Sequence, residues 1–183
     1  MTTPDSTIEA ATNAGYPAGL TPAQLLYPDL RDELATTRRM LERVPDTGLD
    51  FKPHEKSMTL GQLANHLAEL SAFARTVLTT SELDFAKINY EPKTISTSVE
   101  RLALFDKLSS ELVESVEGAD WNALAESWVL RAGPQVYLND QKGKLIRTLA
   151  LSHMAHHRAQ LGVYLRMNGI AVPGSYGPTA DEM

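Results

Sequence analysis

The residues best suited to chemistry are histidines. His153 and His157 stand four apart in the stretch Leu151-Ser-His-Met-Ala-His-His-Arg-Ala-Gln-Leu161. On an α-helix that spacing puts two imidazoles on one face, one turn above the other, where both can reach a single ion. A third histidine, His66, lies far upstream in another apolar segment, three residues after Leu63 and four before Leu70, so it too points at or near a core. The 183 residues include no cysteine, which excludes disulfides, thiolate zinc sites and a cysteine nucleophile. Any metal site must therefore be built from histidine and carboxylate. Three histidines with an open fourth position describe a catalytic rather than an enclosed structural site. An ion held in this way acts as a Lewis acid, or lowers the pKa of a bound water or thiol.

An H-x3-H pair alone is a weak signal, because core histidines satisfied by hydrogen bonds are common. Here the surroundings sharpen it. Leu145, Leu149, His153, His157, Leu161 and Leu165 follow one another at four-residue intervals, and a ridge of leucines offers no partner to rings that each carry a donor and an acceptor. A divalent ion takes one nitrogen of each ring and leaves the other free to donate to a carbonyl or carboxylate. His156 lies about 100° round the helix from its neighbour and reads as a bystander, packing beside Gln160 and Val163 or meeting another subunit. Glu69, one turn from His66, is a candidate general base or a residue that orients a ligand ring. His54 reads as an exposed loop histidine, with a lid over the site as the alternative. Arg158 and Tyr164 could bind an acidic substrate, or be surface and core respectively.

These side chains need helices to hold them. Thr21-Pro22 suits a helix start, and Leu25, Leu26, Leu30, Leu34, Met40 and Leu41 mark an apolar face ending at Val44 to Gly48, with Pro28 expected to bend or delay the helix. Residues 49–58 form an irregular connector, long enough to cross the end of a bundle or cover a site. Thr59 and Gln62 fit a capping box that opens a segment running to about Thr80. Its buried face should contain Leu60, Leu63, Leu67, Leu70, Ala74 and Val77. A loop with Pro92 spans 81–96, and a second capping pattern at Thr97 and Glu100 leads a third helix, with Val99, Leu102, Phe105, Leu112 and Val116 on its apolar face, to near Gly118. Trp128 to Leu138 is extended by composition, a loop or a small hairpin, and whether the segment 119–138 covers the site stays open. Asn139 or Asp140 should cap the last long helix, which ends at Asn168-Gly169.

The chain's length suggests one domain, residues 21–183, behind a flexible leader over 1–20. A net charge of −6, with no basic run longer than Arg38-Arg39, disfavours nucleic acid. Neither a signal peptide nor a membrane span is present, so a soluble, cytoplasmic protein with no membrane partner is expected. H-E-x-x-H, phosphate-loop, G-x-S-x-G and di-iron E-x-x-H signatures are all missing.

Thr37 to Pro45, Pro53 to Leu70, His153 to Arg166 and Val172 to Pro178 together resemble the DinB family, the DinB/YfiT-like metalloenzymes, over roughly residues 21 to 178. The resemblance implies an all-α, four-helix bundle connected up-down-down-up. It implies a divalent metal, zinc or nickel first, on one histidine of the second helix and an H-x3-H pair of the last, which fall on His66, His153 and His157. It also implies a homodimer acting on a small-molecule substrate. Relatives include thiol S-transferases that use bacillithiol or mycothiol, and a metal would activate such a thiol. The alternatives are a hydrolase using metal-bound water and a non-enzymatic stress-related bundle stapled by a structural ion.

Overall fold

The computed structural model describes residues 19–89 and 94–183. Nearly all of the expected leader, and Pro92 of the 81–96 loop, lie outside the described residues.

Thr21 caps α1 (Pro22–Leu26), its hydroxyl accepting from the Gln24 amide while the Gln24 side chain returns to the Thr21 amide. The first helix is in fact two. Tyr27, pushed off helical geometry by the ring of Pro28, takes φ −136° and ψ 52°, and α2 (Leu30–Leu41) starts afresh beyond it. The connector that follows is ordered by its backbone: Leu60 and Gly61 donate to the carbonyls of Phe51 and Leu49 at 2.7 and 2.9 Å. Gly61 permits this approach, since a Cβ there would lie 3.1 Å from that of Leu49. The Thr59–Gln62 capping box forms and opens α3 (Leu60–Thr79). All six residues expected on its inner face are buried. Thr97 caps α4 (Ser98–Glu117), whose Val99 is an exception to the expected apolar face at 75% exposure.

Four long helices close a ring around the core: α3 packs against α4 and against the C-terminal helix, and α2 packs against the same two. Leucines of α3 meet Phe105, Leu112 and Val116 of α4 and Leu161 and Leu165 of the last helix in one continuous apolar cluster.

The expectation of an all-α chain is corrected by a three-stranded sheet. β1 (Glu82–Asp84) pairs parallel with β2 (Ser127–Ala132), and β2 pairs antiparallel with β3 (Gln135–Gln141), the short α5 (Trp121–Ala125) preceding the hairpin. The Trp128 to Leu138 segment is thus the hairpin rather than the loop. Its strand runs on through Asn139 and Asp140, which pair with Val129 and Trp128, so neither residue caps a helix and the helix starts at Lys142. Gly133, with φ +56°, makes the turn, and buried Asp84 holds it by accepting from the Gly133 amide at 2.8 Å. Trp128 fixes the sheet to the bundle: it is fully buried, its indole N–H donates to the Thr80 hydroxyl at 2.9 Å, and its ring meets the edge of Phe73.

The last helix runs through α6 (Lys142–Ile146), a π-helical segment (Arg147–Ser152) and α7 (His153–Met167) without interruption. That wider segment turns the ridge back over its first steps, from Leu145 through Leu149 to His153, before regular α-helix resumes. Each four-residue step overshoots a 3.6-residue turn by about 40°, and a stretch of i→i+5 turns carries the next step the other way.

Because the fully buried Trp128 ring fills the junction between sheet and bundle, Trp128→Ala should cost about 3–5 kcal/mol in denaturant unfolding. Trp128→Phe, which loses chiefly the bond to Thr80, should cost about 1 kcal/mol. A loss below about 1.5 kcal/mol for the alanine variant would show that the sheet is held by something else.

Candidate metal centre

His66 comes from the second turn of α3, and His153 and His157 from the first two turns of α7. Packing of α3 on α7 brings the three rings together, with centroids 5.3 Å apart for His66 and His153, and 4.6 Å for His66 and His157. One nitrogen from each ring lies within 4.8 Å of the other two. No fourth histidine and no carboxylate joins this cluster among the described residues.

Proton placement is the informative detail. The Nε2 atoms of His153 and His157 face each other at 2.8 Å. His157 Nδ1 lies 2.7 Å from the Gln160 side-chain oxygen, to which the Nδ1–H tautomer donates. His153 is likewise hydrogen-bonded to the Leu149 carbonyl. In the tautomers that donate to those oxygens, the Nε2 atoms of both rings are free to ligate, the donor set that a divalent ion takes. Electrostatics agree with this arrangement. Burial, reinforced by the two neighbouring histidines, pushes His66 down to about 4. Burial likewise lowers His153 and His157. All three rings are therefore neutral near pH 7, the form that ligates.

A cavity of about 500 Å³ opens beside the rings, with His66, Glu69 and His153 in its lining. The remaining wall is almost wholly apolar and comes from Leu70 and Phe73 of α3, Leu83 of β1, Phe85 and Ile88 beyond it, Leu108, Leu130 of β2, and Leu149. Residues 119–138 thus wall the site through Leu130.

Of the other sequence candidates, Glu69 borders this cavity, whereas His54 and Arg158 do not. His54 is exposed in the connector, its Nδ1 accepting from the Lys56 amide. Arg158 is corrected outright as a substrate group. It is 1% exposed and faces α2, with its guanidinium on Glu33 at 2.7 Å, Thr37 at 2.9 Å and the Tyr176 hydroxyl at 2.6 Å. Tyr164 is a core residue whose hydroxyl donates to the Met58 carbonyl. His156 is exposed beside His157. Sequence reasoning missed Gln160 as a partner of His157, although its i,i+3 spacing was a usable signal. It also missed the strand residues of the cavity, which no local pattern connects to the histidines.

The model of the DinB family matches residues 20–183. YrdA of Bacillus subtilis strain 168, an uncharacterized protein, is 26% identical over 151 residues, covering 82% of this chain and 85% of YrdA. Among solved structures, a DinB-like protein from Bacillus cereus ATCC 10987 superposes with a TM-score of 0.61 at 22% identity, covering 82% of this chain and 95% of that one. YfiT from Bacillus subtilis, described as "a probable metal-dependent hydrolase with an unusual four-helix bundle topology", gives a TM-score of 0.59 at 17% identity over 85% of this chain and 94% of its own. At such identities the structural likeness speaks to the fold. The family match spans the three histidines and nearly every described residue, and on it the chain belongs to the DinB family.

Proposed function

We propose that His66, His153 and His157 bind one divalent cation and that the protein is a metal-dependent hydrolase. The observation that carries this reading is the convergence of three histidines, with one nitrogen of each within 4.8 Å of the other two, at the end of a cavity. When bound, the ion supplies Lewis acidity, polarising a substrate carbonyl and easing the deprotonation of a water at the open side of the site. The chain's own residues do the rest. Gln160 and the Leu149 carbonyl hold the ring tautomers. The apolar wall keeps bulk water out, which strengthens every electrostatic interaction inside. Glu69, the carboxylate in the cavity lining, accepts the proton of the attacking water and returns it to the leaving group as the carbonyl–leaving-group bond breaks.

Two alternatives share the ligand set. A structural staple calls for a fourth protein ligand, and none joins the cluster among the described residues. A transferase using bacillithiol or mycothiol would exploit the same Lewis acidity on a thiol. Such co-substrates are rich in polar groups, and the cavity offers polar atoms chiefly at its histidine end, so water is preferred as the nucleophile. Zinc and nickel both suit imidazole ligands.

Protein prepared without a polyhistidine tag should carry close to one divalent ion per chain by elemental analysis, and His153→Ala should abolish it. Gln160→Ala should weaken the ion's affinity roughly 10–100-fold in chelator competition with the fold intact. Unchanged affinity would mean that Gln160 does not set the tautomer.

Acid should destabilise the metal-free protein. An unfolded histidine titrates near 6.5, whereas folded His66 takes its proton only around 4. Between those values the unfolded chain binds more protons, so stability rises with pH through that window. The Tm of chelator-treated protein should climb from pH 5 to pH 7, and the climb should shrink in His66→Phe. A level or falling Tm over this range would contradict the neutral, desolvated cluster.

A further inference from the structure

The cavity beside the histidines has polar groups at one end only. His66, Glu69, Phe73 and Thr76 form a stripe along α3 that leads away from the cluster toward the sheet. At 1.5 Å per residue its ten-residue span covers about 15 Å. The polar side chains of the lining are His66, Glu69, His153 and Thr76, and the Thr76 hydroxyl proton is donated to the Ala72 carbonyl at 3.1 Å. Among the described residues, no lysine or arginine lines the space. At the rim, Phe85 and Ile88 stand 38% and 42% exposed, large apolar side chains held against water where a bound molecule would cover them. The volume, about 500 Å³, falls within the range of small-molecule sites.

We infer that the substrate is an elongated, uncharged amphiphile: a carbonyl compound whose reacting group sits at His66, Glu69 and His153 and whose alkyl or aryl body lies along α3 under Leu83 and Leu130. The inference rests on the proposed metal centre for the position of the reacting group, while the apolar body rests on the cavity alone. A cationic substrate would meet only one carboxylate, and an anionic one would meet no fixed positive charge among the lining residues. Burying either charge in that wall is costly. An alkyl chain instead gains with every methylene that leaves water, about fourfold in affinity per group, the ratio equivalent to about 0.8 kcal/mol.

The test is a series of straight-chain alkyl hydroxamates from acetyl upward, titrated into the metal-loaded protein by calorimetry, with the same chains ending in a carboxylate as controls. The expected result is affinity rising roughly three- to fivefold per methylene until the cavity is full, and at least tenfold weaker binding of the carboxylate-ended chains. Ala72→Phe, which fills the middle of the stripe, should end the rise at shorter chains, and Phe85→Ala at the rim should reduce its slope. The second variant alters only a partly exposed side chain, so it keeps the test sound if the first folds poorly. Affinity independent of chain length, or equal binding of the carboxylate-ended chains, overturns the inference and leaves the metal centre standing. A chain-length slope that survives in His153→Ala, with no loss of head-group affinity, sinks the metal-centred reading while the apolar cavity stands.

Discussion

Three imidazoles desolvated at a single point are the constraint around which this structure is arranged. Each ring brings a donor and an acceptor into a leucine-rich interface, where an unmatched polar group is expensive. The chain resolves half of the problem internally. Gln160 and the Leu149 carbonyl absorb ring protons, and burial keeps the rings neutral. The other half is the meeting of one nitrogen from each ring within 4.8 Å, an arrangement suited to a cation. The π-helical segment belongs to the same solution, because it lies immediately before His153. There it resets the drift of a four-residue repeat just where two rings must keep a common direction.

Positioning of the histidines and the lining of the cavity fall to different parts of the molecule. The helices bring the histidines together, and they would do so without the strands. The sheet builds the far wall of the cavity; Trp128 ties it to the bundle through Thr80 and Phe73, Leu83, Leu130 and Leu138 pack on the core, and Asp84 holds the hairpin turn within the sheet. Kinship through the bundle therefore informs the metal chemistry far more than the substrate.

The helices, the Thr59–Gln62 capping box and the three-histidine cluster were legible in the sequence because each is a periodic or local pattern. Leu63 to Val77 repeats at helical spacing, Thr59 and Gln62 stand at cap distance, and the histidines occupy places in an apolar ridge. What escaped was non-local or competing. β1 has only three residues, and its partner β2 lies more than forty residues on, so no window contains the sheet. Asn139 and Asp140 look like helix caps, but cross-strand pairing to Val129 and Trp128 outweighs that local preference. Pro28 was visible as a perturbation, yet whether it bends or breaks a helix depends on the packing that follows. Arg158, a polar residue inside a helix, carried two readings until Glu33 was found opposite it.

That pairing gives Arg158 a part in the site after all. It follows His157 in the chain and so projects about 100° round the helix from it. While the histidines address α3, the guanidinium is held on α2 by Glu33 and Thr37 and covered by Tyr176, whose ring lies 5.1 Å away. A helix pinned on two faces by directional contacts cannot roll about its axis without breaking a buried ion pair, and that loss is of the order of 3–5 kcal/mol. Leucine packing alone would let α7 rotate by small angles at little cost, because apolar contacts have no preferred direction. The His-x3-His-Arg sequence is therefore one device, in which the arginine sets the rotation that aims both rings, and the C-terminal segment carrying Tyr176 closes over it from outside.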